Sequence, residues 1–330
     1  MTEQSALQLH RDSIIIDGLN ASNFYEPQVF DRLRAGGVTA VNTTVAAWHN
    51  LPETMQSIAD MLYMIEARDD LMQVRQADDI EKAQAANKLG IIFGFQDTAP
   101  LGDSLRMLAV YRELGVRIIQ LTYNHTNLVG SGNLIPDDAG LTAFGRAVIA
   151  EMNRLGILVD LSHCGVRTTM DAIQASEKPV AFTHANPFAL CPHPRNKRDD
   201  ALKALAEKGG VAGVVVFAPM LNGAGSATLD EYLQRVDYLV NLIGVDHVGI
   251  GPDFMEEMTP EVSARALRGM PADVVAKFQA VQPTQGFESI SACANVTTGL
   301  LARGYRVEDV KKIMGGNWLR LYRQVWHSRQ

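Results

Sequence analysis

Eight short apolar runs, nearly all followed by a helical stretch, limit what this chain can fold into more than any other feature. They cover residues 14–16, 38–45, 91–95, 116–122, 157–161, 179–182, 211–217 and 247–251. Strands that alternate with helices lie parallel in one sheet, with the helices as crossovers. Eight such units within about 250 residues is the count of a (β/α)8 TIM barrel. The runs at 157–161, broken only by Asp160, and at 211–216 read as strands buried on both faces. A doubly wound open sheet is the runner-up, and it lacks support because no GxGxxG opens a helix after an early strand. The 330 residues, 47% of them hydrophobic, can bury such a core. The spacing predicts a single barrel domain over 1–330, with less regular lid-like helices at 255–286 and further helices at the C-terminal end.

Charge and composition exclude several function classes. The net charge is −7 and no Lys/Arg-rich run occurs, which argues against nucleic acid and against an anionic membrane surface. No apolar run reaches about 18 residues, so no transmembrane helix is expected. The opening MTEQSALQLHRDS is polar and shows no secretory signal. Cys164, Cys191 and Cys293 form no CxxC, and their odd number suits a reducing compartment. The expectation is a soluble cytoplasmic protein acting on a small molecule.

Parallel barrels gather their chemistry at the C-terminal ends of their strands. Those ends carry, in order, Leu19 and Ala21, Thr43 and Thr44, Gln96, Tyr123, His163, His184, Phe217 and Asp253. Two successive strands end alike, in Ser162-His163 and Thr183-His184, so two histidines face one mouth. Each could instead cap its own strand. Arg195 follows in a proline-braced loop, CPHPRN, where it can overhang that mouth or pair with Asp199 or Asp200. Asp253 in GIGPDF fits a catalytic carboxylate or a helix N-cap. Cys164 beside His163 makes a poor nucleophile pair, since adjacent strand residues point opposite ways. His49, His125 and Asn127 are further loop candidates for the pocket.

Seven stretches carry a resemblance: IIIDGLNAS, IIFGFQDT, GVRIIQLTYNHTN, GLTAFGRAVIAEMNRLGILVDLSH, KPVAFTHANPFALCPHPRNKRDD, VGIGPDF and KKIMGGNWLR. In this order, and over nearly the whole chain, they resemble the renal (membrane) dipeptidase family. Its members are metallopeptidases on an amidohydrolase-type barrel that use two zinc ions. The resemblance implies a second-site pair at His163 and His184, a substrate-carboxylate anchor at Arg195 and the last-strand aspartate at Asp253. It also implies homodimers, for which the final helix, with Trp318, Leu321, Tyr322, Val325 and Trp326, offers apolar surface.

Other family positions are altered. The His-x-Asp pair after Asp-Gly reads Leu19-Asn20-Ala21, the bridging Glu position holds Gln96, and the substrate-polarising His position holds Tyr123. Leu and Ala bind no cation, and a neutral amide is a poor zinc ligand. A hydroxide bridged between two zincs therefore cannot form. At most one zinc per chain, or none, is expected at His163 and His184, with a third ligand from Asp253 or, less readily, Asp97, Glu256 or Glu257. Asp97 on a regular strand would point away from Gln96's side. Tyr123 can still donate to a carbonyl or oxyanion.

The catalytic candidates are thus Asp253, Tyr123, His163 and His184, with Arg195, Gln96 and Asn124 for substrate. Three functions stay open. The first is a dipeptidase-like hydrolase of a small amide or dipeptide with a free carboxylate. The second is a lyase, isomerase or other amidohydrolase-type enzyme repurposed for a small carboxylate. The third is a non-catalytic metabolite-binding protein.

Overall fold

The computed structural model describes residues 3–270 and 272–326. The strands are β1 (Ile16–Asn20), β2 (Ala40–Ala46), β3 (Leu71–Gln73), β4 (Leu89–Phe95), β5 (Val116–Gln120), β6 (Leu158–Asp160), β7 (Ala181–Phe182), β8 (Val211–Val214) and β9 (Val248–Ile250). All ladders are parallel, in the order β1-β2-β4-β5-β6-β7-β8-β9. A bridge between Asn20 and Phe254 brings the last strand back to the first. Ala21 N donates to Phe254 O at 2.8 Å and Asp253 N to Leu19 O at 3.1 Å. The eight-stranded (β/α)8 barrel expected from the alternation is therefore present.

Two elements escaped the sequence. β3 is three residues long and pairs only with β4, outside the barrel path. The N-terminal helix Glu3–Asp12 lies in a polar stretch with no strong pattern, and it buries only Ala6 and His10. The first strand also runs later than residues 14–16, through Asp17 and Gly18, because a ring needs that glycine. A Cβ on Gly18 would stand 2.7 Å from the Trp318 ring.

Trp318 plugs the barrel. It is fully buried and clusters with Ile16, Ala40, Ile92, Ile118, Leu158, Ala181 and Val211, one inward residue from each of seven strands. Its indole Nε1 donates to Ile250 O at 2.9 Å. Gly213 and Gly249 leave the space it occupies, since a Cβ on either would come within 3.0 Å of the ring. Trp318 starts the helix Asn317–Val325, whose Leu321, Tyr322 and Val325 are also buried, with Trp326 stacked on Tyr322 at 4.0 Å. This corrects the expectation of a dimer surface there: the apolar face is spent on the chain's own barrel, and that support for a homodimer falls away. Trp318→Ala should cost about 3–5 kcal/mol, the range for truncating a buried aromatic. Denaturant unfolding would read it, and a loss under 1 kcal/mol would mean the plug does not hold the barrel.

Inward residues one layer above the plug are polar: Asn42, Gln120, Asp160 and Thr183 are all buried. The floor of the site rests on this layer. Among the described residues no helix is long and apolar enough to cross a membrane.

Candidate functional site

The strand ends open into one cavity of about 1070 Å3. Gln96, Tyr123, Asn124, His163, Arg195 and Asp253 all line it. His184 does not. It is fully buried beneath His163, and its Nε2 lies 2.9 Å from the Nε2 of His163. The expectation that both histidines face the mouth is thus corrected: His184 meets the cavity only through its neighbour. β7 ends at Phe182, so the residues that follow still lie deep among the strand ends.

A hydrogen-bond chain fixes both rings. His163 Nδ1 lies 2.7 Å from Asn124 Oδ1, and an amide oxygen only accepts, so that nitrogen carries the proton. His163 Nε2 is then a lone pair, and His184 Nε2 donates to it. His184 Nδ1 in turn accepts from the Thr183 hydroxyl at 2.8 Å. Thr183 Oγ1 also lies 2.6 Å from Asp160 Oδ2, and a hydroxyl has one proton. The chain closes if Asp160 carries a proton and donates to Thr183. Burial pushes its carboxyl in that direction, against its bonds from Ser162 and Thr183. Burial first, then the Arg195 charge, hold both histidines well below the usual imidazole value, so both rings are neutral.

Tyr123 stacks on His163, centroids 4.2 Å apart, and Trp48 packs edge-on against Tyr123 at 5.6 Å. Burial raises the Tyr123 hydroxyl, so it is a donor at any working pH. Gln96 Nε2 donates to Thr44 Oγ1 at 2.8 Å. Asn124, Asp253 and Trp48 have φ of 63°, 62° and 62°, three of the five non-glycine residues in the left-handed region among those described. Such conformations gather where a fold holds side chains for a task, and Asn and Asp tolerate them best.

Arg195 is buried at the cavity wall. Its guanidinium donates to Ser162 O and to His184 O, the latter at 3.2 Å. The backbone N of Arg195 donates to His193 Nδ1 at 3.2 Å, so the proline-braced turn does position it. Neither Asp199 nor Asp200 pairs with it: Asp199 accepts from Tyr238 and Asp200 from Ala201 N. Among the described residues no carboxylate makes an ion pair with Arg195, though Asp253 lies within its electrostatic reach. Asp253 opens on the cavity, yet burial pushes its carboxyl up to about 7, with the Arg195 charge opposing.

Of the remaining candidates only His49 and His125 line the cavity. Asp97 points away, accepting from Trp48 N and Ala99 N. Glu256 accepts from Ile290 N, and Glu257 pairs with Arg32. Asn127 holds Thr98 and Leu121 O, so of the loop pair only His125 reaches the cavity. His49 lines it too, tied to Ala47 and Arg265. Cys164 is buried against Thr122.

Sequence reasoning missed Lys197. It sits in the mixed-charge stretch PRNKRDD, yet it is buried, with Nζ donating to Leu161 O at 2.8 Å and Cys164 O at 2.9 Å. It clamps the turn that carries His163, and burial lowers its amine to about 7. The Met- and Phe-rich wall of the cavity was missed as well, because its residues come from separate loops and helices.

The family model for membrane dipeptidase (peptidase family M19) matches residues 3–264. The chain belongs to the membrane dipeptidase family. A dipeptidase of Claviceps purpurea, tcpJ, is 33% identical over 281 residues, 84% of this chain and 60% of its own length. An uncharacterized dipeptidase of Schizosaccharomyces pombe is 34% identical over 267 residues, covering 78% of this chain and 58% of its own length. The chain thus spans somewhat over half the length of these curated relatives. A solved structure described as an amidohydrolase from Pseudomonas aeruginosa superposes with a TM-score of 0.92 at 38% identity, covering 97% of this chain and 99% of that one. A metallopeptidase of the same family, dipeptidase AC, shares the fold at TM-score 0.81 and 21% identity.

The family implies metal, and a pair of zinc ions needs a full set of His and carboxylate donors. By the family resemblance, Leu19, Ala21 and Gln96 fall at the first-site and bridging positions, and none of them is a usual zinc ligand. Among the described residues no group of three or more His, Cys, Asp and Glu converges to hold a metal. The donors do not fit a binuclear centre. For one ion they supply two imidazole nitrogens, one of them below the cavity wall, where a catalytic zinc takes three protein ligands.

Proposed function

We propose that this member of the membrane dipeptidase family hydrolyses a small amide that bears a free carboxylate, and that its own side chains rather than a zinc pair carry the reaction. The observation that carries the reading is Arg195, a buried cation with no carboxylate paired to it, facing the cavity beside Asp253. A buried charge left without a counter-ion is costly. A substrate carboxylate would supply the counter-ion, and a guanidinium offers it a planar fork.

The chemistry follows from the neighbours. Asp253, with a carboxyl near 7, is partly ionised at neutral pH and can take a proton from water as it adds to the amide carbon. Tyr123 can donate to the oxygen that becomes negative. Asp253 then returns the proton to the leaving nitrogen, the C–N bond breaks, and an acid and an amine leave. His163, held by Asn124 and His184, forms the floor against which Tyr123 is stacked. Gln96 and Asn124 supply polar groups at the edge. At most one metal ion, at His163 and His184, is part of this reading.

The test is a panel of dipeptides and other N-acyl amino acids with free and amidated C-termini. Free acids should be hydrolysed at least tenfold more efficiently than their amides. Simple dipeptides should turn over slowly, with kcat below the usual enzyme range of about 1–10³ s⁻¹. Absence of turnover on every free acid would overturn the reading. A repurposed lyase or isomerase has no observation of its own in its favour.

A further inference from the structure

We propose that the substrate is an N-acyl amino acid whose acyl group is long or bulky and apolar, the acyl group lying in the Met- and Phe-lined part of the cavity. This rests on the hydrolase reading above and on Arg195 as the carboxylate anchor. The cavity, about 1070 Å3, lies just above the range of roughly 300–1,000 Å3 typical of drug-sized ligands. A two-residue substrate would leave most of it empty.

Its lining is divided. The hydrogen-bonding groups Arg195, Asp253, Tyr123 and His163 come from the strand ends and the loop after β7. Met61, Met64, Met255, Met258, Phe217 and Phe278 line it too, with Gln56, Arg265 and Lys277 among the polar groups beside them. Phe217, just past β8, packs on Phe278 of the helix Ala272–Gln279 at 5.1 Å, which joins the barrel rim to the covering helices. Methionines are flexible and polarisable, so such a wall adapts to alkyl chains of differing shape.

Position decides which end of the substrate meets this wall. In an amino acid the carboxylate is one carbon from the amide nitrogen, so anchoring it at Arg195 holds the amino-acid half among the polar groups. The acyl half is left for the apolar part. A dipeptide would bring an α-ammonium there. The two glutamates that also line the cavity are already engaged, Glu53 with Asn50 N and Arg265, and Glu261 with Thr259. An uncharged acyl chain needs no such partner. Hydrolysis adds water across the amide and releases the carboxylic acid and the free amino acid.

The experiment is calorimetric titration of the full chain with N-acetyl-, N-hexanoyl- and N-decanoylglycine and with N-decanoylglycinamide, while release of free glycine is followed in parallel. Burial of alkyl chain contributes up to about fourfold in affinity per methylene. N-decanoylglycine should bind at least 100-fold tighter than N-acetylglycine and at least tenfold tighter than its amide. Phe278→Asp should remove at least tenfold of the decanoyl affinity and leave acetyl binding unchanged. Met258→Asp, on a different segment, should do the same, so the outcome does not hang on one variant folding. Affinity that does not rise with chain length overturns the proposal, and so does equal binding of acid and amide. If affinity rises with chain length but no glycine is released, the acyl site stands and the hydrolase reading fails. If acetylglycine and simple dipeptides are hydrolysed with flat affinity, the hydrolase reading stands and the acyl site fails.

Discussion

Asp253→Asn will cost about 10²–10⁴ in kcat/KM and will make the protein more stable above pH 7. Both effects have one cause. The folded carboxyl titrates at about 7, against 3.8 for the ordinary group, because burial penalises its charge. A raised acid pKa means that the folded state holds the proton over a range where the unfolded chain has lost it. Stability is therefore full below about pH 4, falls as pH rises to about 7, and is flat above. Asparagine carries no charge, so the variant escapes that loss. Its advantage should be small near pH 4 and reach roughly 2–4 kcal/mol at pH 8, a span set by the size of the shift. Asparagine also accepts the φ of 62° at this position. The parent's kcat/KM should rise through about pH 7 as Asp253 ionises. Unfolding curves at pH 4 and pH 8 would settle the first part. A variant with the same relative stability at both would show that the charge is not penalised.

Arg195→Lys will weaken substrate binding by about 1.5–3 kcal/mol, roughly 10- to 100-fold. Lysine keeps the charge and loses the fork. The same guanidinium also ties Ser162 O and His184 O, so some loss of melting temperature should accompany the loss of affinity. The discriminating readout is the folded variant. Its KM for a free acid should rise, while its KM for the amidated analogue stays the same. If it binds free acids as tightly as the parent, Arg195 is not the anchor.

The barrel was legible because its strands are mostly apolar runs, nearly all followed by a helix, and that alternation admits few folds. The strand-end residues followed from it, since parallel strands bring their C-terminal ends to one face. Gln96, Tyr123, Asn124, His163, Arg195 and Asp253 meet there as expected. Depth was not legible. Nothing in Thr183-His184 distinguishes it from Ser162-His163, yet one ring lines the cavity and the other lies under it. The final helix was read as a free apolar face, because its partner, the ring of small residues Gly18, Gly213 and Gly249, is scattered over the chain. Lys197 went unnoticed because a lysine among Arg, Asn and Asp gives no local sign of burial. The apolar wall was hidden for the same reason: Met61, Met255 and Phe278 become neighbours only once the helices cover the barrel mouth.

In the proposed mechanism a carboxylate and an arginine replace two-zinc chemistry in this pocket. Elemental analysis of protein purified without chelator tests it most directly. At most one transition-metal ion per chain is expected, because Leu19, Ala21 and Gln96 offer no ligands for a second. Two firmly bound zinc ions per chain would contradict it.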